Sequence, residues 1–158
     1  MFTVLFVCTG NTCRSPMAER LLRHIAAEKG LAEKIRAISA GIFACDGAAM
    51  SVNSQVVLEK NNIDISDFQA TKLTQAHIDR ADLVLPMTDT HVGMIKEFFP
   101  NADDKTFTLG EFAQKGKNIP DPFGMGVNEY EKCFVELEQM IISALPRIIS
   151  LAEEDKEK

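Results

Sequence analysis

The chain is short of positive charge. Its 158 residues carry 17 Lys and Arg against 23 Asp and Glu, a net charge of −6. Nucleic acid requires a basic footprint on its partner, and anionic membrane surfaces attract basic segments, so neither is an expected partner. Cysteine is scarce: Cys8, Cys13, Cys45 and Cys133 are too few for a disulfide scaffold. No apolar run approaches the ~20 residues of a membrane-crossing helix. The opening Met1–Val7 stretch has no basic start, and its apolar run is too short for a secretory signal. These absences lead to the expectation of a cytoplasmic protein with reduced thiols. Repeats, low-complexity tracts and linkers are also missing. A composition 46% hydrophobic and 25% charged then reads as one ordinary globular domain, over 1–152, with 153–158 as a charged, solvated tail.

What is present alternates between strand and helix patterns. Residues 3–7 are apolar after Thr3 and rich in β-branched and aromatic types, which suits a strand buried on both faces. Ser15-Pro16 offers a hydroxyl cap and a first-turn proline. An apolar stripe follows through Met17, Leu21, Leu22 and Ile25, stopping near Gly30. Further strands are expected over 34–40, 81–87 and 105–109. Helices are expected from Ser51 through Leu58, from Val92 to Phe98, and over 127–151, where Pro146 should kink or divide the last one. The pattern predicts an α/β fold: a single doubly wound domain with a four-stranded parallel sheet flanked by helices, and a phosphate loop between strand 1 and helix 1. Segments 41–50 and 110–126 are the expected loops.

The chemistry concentrates where the first strand meets the first helix. Cys8-Thr9-Gly10-Asn11-Thr12-Cys13-Arg14-Ser15 places a cysteine at the strand's end and an arginine six residues on, just before the helix. Ligands of doubly wound sheets bind beyond the carboxyl ends of strands. A loop this short can turn successive backbone N–H groups onto one anion, with the positive end of the helix aimed at the same place. Gly10 is expected to allow close approach or a positive φ, and Asn11 to tolerate the left-handed region and tie the loop together. Arg14 can grip two phosphate oxygens with its planar fork. The same field favours Cys8 as a thiolate nucleophile, and Ser15 can donate a hydrogen bond to the sulfur. A buried structural cysteine beside an unrelated arginine is the plainer alternative, and the full strand, loop, Arg-Ser-Pro and helix context weighs against it. Cys8 and Cys13 lack the second ligand pair of a zinc site.

Thiolate attack on a phosphorylated side chain leaves a group that needs a proton. Asp121, held between Pro120 and Pro122, is the candidate acid, and Phe123 beside it the candidate wall for a flat substrate group. On its own the segment would be read as a turn; the phosphate loop gives it a role.

Val4 through Glu19, with Ser39-Ala40-Gly41 and Asp121-Pro122-Phe123, resembles the low-molecular-weight protein tyrosine phosphatase family over nearly the whole chain. The resemblance implies no metal and no cofactor, and a phosphocysteine intermediate with Cys8 as nucleophile, Arg14 as phosphate clamp and Asp121 as acid, then base. Thr9, Gly10, Asn11, Thr12, Cys13, Ser15 and Phe123 would surround the substrate. It also implies a Cys13 able to pair reversibly with Cys8 under oxidation. Phosphorylated proteins would be the partners, inorganic phosphate the product, and a monomer the expected state. Thr12 and Met87-Thr88 are similar to the bacterial protein-arginine phosphatase branch, whereas phosphotyrosine enzymes carry a bulkier aliphatic residue in the position of Thr12. Phe68 falls where many relatives have a loop-supporting His. His24, His77 and His91 are expected on the surface or on helices, outside the chemistry, and Cys45 and Cys133 as incidental thiols.

Two other classes fit the residues less well. A thioredoxin-coupled arsenate reductase of the same fold needs resolving cysteines after strand three, and 77–100 has none. A phosphoprotein-binding module on a dead scaffold would have lost Cys8, Arg14 or Asp121.

Overall fold

A computed structural model describes residues 1–157. The sheet is parallel, with β1 (Phe2–Cys8) at its centre, β2 (Ile35–Gly41) on one side and β3 (Leu83–Pro86) on the other. Every residue of β1 is buried, Thr3 among them, as the apolar run from Val4 to Val7 leads one to expect. Val4 and Phe6 join a core formed with α1 (Arg14–Glu28), α2 (Val52–Lys60), α5 (Leu109–Phe112) and α6 (Val127–Lys156). Leu5 and Val7 face a second core with Ile78 of α3 (Gln75–Arg80) and Ile95 of α4 (Asp89–Phe98). Helices thus cover both faces. Because the chain leaves β1 first for one neighbour and later for the other, the topological switch point lies at the carboxyl end of β1, where Cys8 sits.

The expected fourth strand is not formed: among the described residues the sheet has three. Thr106 makes a single isolated bridge to Val84, with the Phe107 N–H donating to the Val84 carbonyl at 3.1 Å. A 3₁₀ turn over Pro100–Lys105 ends directly before it, and Thr108 already caps α5. Too little extended backbone remains between them for a ladder. Pro146 neither ends nor divides the last helix, which runs unbroken from Val127 to Lys156 and takes in part of the expected tail. Its buried stripe (Phe134, Leu137, Ile141, Leu145, Ile148) holds the helix against the core on both sides of the proline. The short helices α3 and α5 were not anticipated. Among the described residues no helix is long and apolar enough to cross a membrane.

Gly41 explains why β2 matters to the site. A Cβ there would lie 2.7 Å from both the Asn11 nitrogen and the Thr9 carbonyl oxygen. Only glycine lets the end of β2 pack directly beneath the loop, where Ile42 and Phe43 donate backbone hydrogen bonds to the Cys8 and Thr9 carbonyls.

Candidate active site

The eight-residue loop joins β1 to α1 as the spacing implies, with two changes in detail. Asn11, not Gly10, takes the positive φ, at 55°. A Cβ on Gly10 would meet only Thr12 Oγ1, at an ordinary 3.7 Å. Ser15 is not the helix cap either. The helix begins at Arg14, and the residue before it, Cys13, makes no side-chain cap bond. Ser15 Oγ instead lies 2.9 Å from Cys8 Sγ.

That contact is backed by a chain of hydrogen bonds. Asn11 Nδ2 donates to Ser15 Oγ at 2.9 Å and to Ser39 Oγ at 3.0 Å. Ser39 in turn donates to Glu19 Oε1 at 3.1 Å. Asn11 occupies one of the hydroxyl's two lone pairs and leaves its proton free, so Ser15 can donate to the sulfur, and against a Cys8 thiolate it is the donor. Asn11 Oδ1 accepts from the Thr71 N–H at 2.9 Å, which fixes the amide's orientation. Glu19 is buried and paired with Arg20 Nε at 2.9 Å. Burial pushes its carboxyl above the usual range, against the pull of Arg23 and Arg20. Phe68 lies under the Arg20 guanidinium, 5.6 Å from ring centroid to carbon. Support of the loop therefore runs through Ser39 and Glu19.

Arg14 is buried and reaches across to the segment before α6. Its Nη1 donates to the Ile119 carbonyl at 3.0 Å, and its Nη2 lies 3.6 Å from Asp121 Oδ2. Its Nε is buried with no hydrogen-bond partner among the described residues. That leaves one edge of the fork as an unpaired donor, which an anion can satisfy. Ile119 is tied to the end of β3 through the Met87 carbonyl, at 3.0 Å. Asp121 Oδ1 accepts from the Phe123 N–H at 3.1 Å, so the Pro-Asp-Pro-Phe turn orients its own carboxylate. Cys8, Thr9, Gly10, Thr12, Cys13, Arg14, Asp121 and Phe123 all line one cavity of about 230 Å³. Asn11 and Ser15 lie buried beneath it. The two segments that sequence spacing singled out, over 100 residues apart, meet at one place.

Three further groups reach this site. Tyr130, which falls within the helix expected over 127–151, places its hydroxyl 3.3 Å from Cys13 Sγ. Burial and that contact push its pKa up to about 12. Cys133 is buried and also pushed up to about 12, chiefly by desolvation; both groups stay protonated. His91 is the third. It lies on a helix as expected, yet it is buried, with Nε2 2.9 Å from Thr9 Oγ1 and Nδ1 2.9 Å from Thr88 Oγ1. Burial first, then nearby Arg14, lower its pKa to about 4, so the ring is neutral at pH 7. His24 and His77 remain apart from the site, pairing with Glu28 and capping α3.

The family model described as low molecular weight phosphotyrosine protein phosphatase matches residues 3–156. A protein-arginine-phosphatase of Geobacillus stearothermophilus is 43% identical over 141 residues, covering 89% of this chain and 91% of the relative. A protein-arginine-phosphatase of Bacillus subtilis is 38% identical, covering 87% and 91%. The crystal structure of a low molecular weight protein tyrosine phosphatase from T. tengcongensis superposes with a TM-score of 0.89 at 39% identity, over 93% of this chain and 99% of that one. With the phosphate loop, the turn around Asp121 and this similarity along nearly the whole chain, the protein belongs to the low-molecular-weight protein tyrosine phosphatase family.

Proposed function

We propose that the protein is a protein phosphatase that hydrolyses phosphoarginine side chains through a phosphocysteine intermediate. The observation that carries this reading is the convergence of Cys8, Thr12, Arg14, Asp121 and Phe123 on one cavity. Cys8 Sγ attacks phosphorus, and the P–N bond to the guanidino group breaks as the new S–P bond forms. Asp121 delivers the proton to the departing nitrogen. Arg14, through Nε and Nη2, and the loop N–H groups of 9–14 take up the charge of the equatorial oxygens. Water then attacks the phosphocysteine while Asp121 accepts its proton. Ser15 stabilises the sulfur as it leaves, and inorganic phosphate departs.

Phosphoarginine suits the walls. Asp121 can pair with a guanidinium, and the exposed Phe123 ring can lie against its flat face. Thr12 leaves room and polarity where a bulky aliphatic residue would give an apolar wall. The similarity to two proteins named protein-arginine-phosphatases supports the same choice. Every lining residue comes from one chain, so a monomer suffices. All four cysteines are unpaired, in keeping with a reducing cytoplasm.

Thr12→Ile tests the substrate. The ratio of kcat/KM for phosphoarginine over phosphotyrosine peptides should fall about tenfold or more, the scale of one pocket contact. A ratio unchanged by the substitution would remove Thr12 from the selection.

A further inference from the structure

The Thr88–His91–Thr9 chain of contacts has no part in the mechanism above, yet it ends on the residue next to the nucleophile. Thr88 caps α4, accepting from the His91 N–H at 3.3 Å, and its hydroxyl also meets His91 Nδ1. The cap holds the imidazole so that Nε2 reaches Thr9 Oγ1 across 82 residues of sequence. His91 is 5% exposed, so this contact is shielded and the ring has no solvent partner competing for it. Thr9 is itself exposed and lines the cavity with Cys8 and Asp121.

We propose that His91 is a positioning residue that fixes the Thr9 hydroxyl as a hydrogen-bond acceptor in the pocket wall, and that this acceptor selects substrates with an N–H beside the phosphorus. The inference rests on the phosphoarginine reading and adds a second selecting position to Thr12. A hydroxyl oxygen has two lone pairs and one proton. If the imidazole donates to it, one lone pair stays open; if the imidazole accepts from it, both do. In either tautomer Thr9 can accept from the substrate. A phosphoguanidino group presents N–H donors next to phosphorus, whereas a phosphotyrosine ester presents an ester oxygen and an aromatic ring, with no donor. A pocket built around a donor loses its partner when the donor is absent, which is how polar walls discriminate. The Met87-Thr88 pair also gains a physical role: Thr88 both caps the helix and anchors the imidazole.

The test uses the full-length protein and peptides of identical flanking sequence bearing phosphoarginine or phosphotyrosine. Thr9→Val removes the hydroxyl at nearly constant shape, and His91→Leu removes its anchor. Each should lower the phosphoarginine-to-phosphotyrosine ratio of kcat/KM about tenfold, the range of one lost polar contact. The double variant should fall no further than Thr9→Val alone, because both act through one hydroxyl. A purely structural role would lower both substrates together and leave the ratio where it was, and that result overturns the proposal. Should His91→Leu fail to fold, as thermal melting would show, Thr9→Val decides the matter alone. A wild-type enzyme with no preference for phosphoarginine is a different failure: it removes the substrate reading, visible before any variant is made, and this inference with it.

Discussion

Asp121 and Arg14 are 3.6 Å apart but differ sharply in setting, the carboxylate side chain 49% exposed and the guanidinium 5%. The proposed clamp is built into the core, and the proposed acid stands at the cavity mouth, on the side from which a leaving group would depart. Asp121→Asn keeps shape and removes the proton. Turnover should drop by roughly 10²-fold or more, the usual worth of a positioned acid, while phosphate inhibition constants change little. Equal turnover by the variant would exclude Asp121 as the acid. That these residues would meet was legible from type and spacing: Cys8 and Arg14 bracket a short loop, Asp121 stands between prolines, and all three line one cavity. His91 was not legible. Its partner Thr9 lies 82 positions away, and a histidine on a helix carries no local sign of what its ring meets. Gly10 and Asn11 were both open to a positive φ, and Asn11 adopts it; sequence does not say which of two such neighbours turns.

Among the elements, β1 and α1 follow directly from an apolar run and a 3.6-residue stripe. The misread features are those decided by tertiary contact. Ser15 has a cap's chemistry but is drawn to Cys8 by Asn11. The segment at 105–109 has strand composition but is confined between a 3₁₀ turn and a helix cap. Pro146 breaks a helical hydrogen bond without breaking the helix, since packing on both sides outweighs a local cost of about 3 kcal/mol. Gly41 is the element-scale hinge between fold and site. Gly41→Ala should cost about 1–3 kcal/mol of stability through overpacking and also displace the loop, because the atoms its methyl would meet are loop backbone. Urea unfolding together with p-nitrophenyl phosphate turnover checks both. Native-like stability and activity in this variant would mean that β2 and the loop do not pack as described.

For the whole molecule, the buried neutral His91 ties stability to pH. Its pKa falls from 6.5 to about 4 on folding, so between those values the unfolded chain binds more protons and stability falls as pH is lowered. At about 1.4 kcal/mol per pH unit, this amounts to roughly 3–4 kcal/mol, fully present above pH 6.5 and lost toward pH 4. Arg14 deepens the effect and Asp121 opposes it. Glu19, with its raised pKa, acts in the opposite sense, but equally in wild type and variant. The stability difference between wild type and His91→Gln should therefore change across pH 4–6.5 and be level above it, as chemical denaturation at several pH values would show. A difference flat throughout would mean that the ring titrates normally.

The central claim is that this pocket is built for a phosphorylated guanidino group. Steady-state kcat/KM of the wild-type protein on phosphoarginine and phosphotyrosine in one peptide sequence measures it most directly. The account predicts phosphoarginine ahead by about tenfold or more, with both activities abolished in Cys8→Ser. Phosphotyrosine cleaved as fast or faster would contradict it, leaving a phosphatase of the same mechanism whose pocket walls serve another side chain.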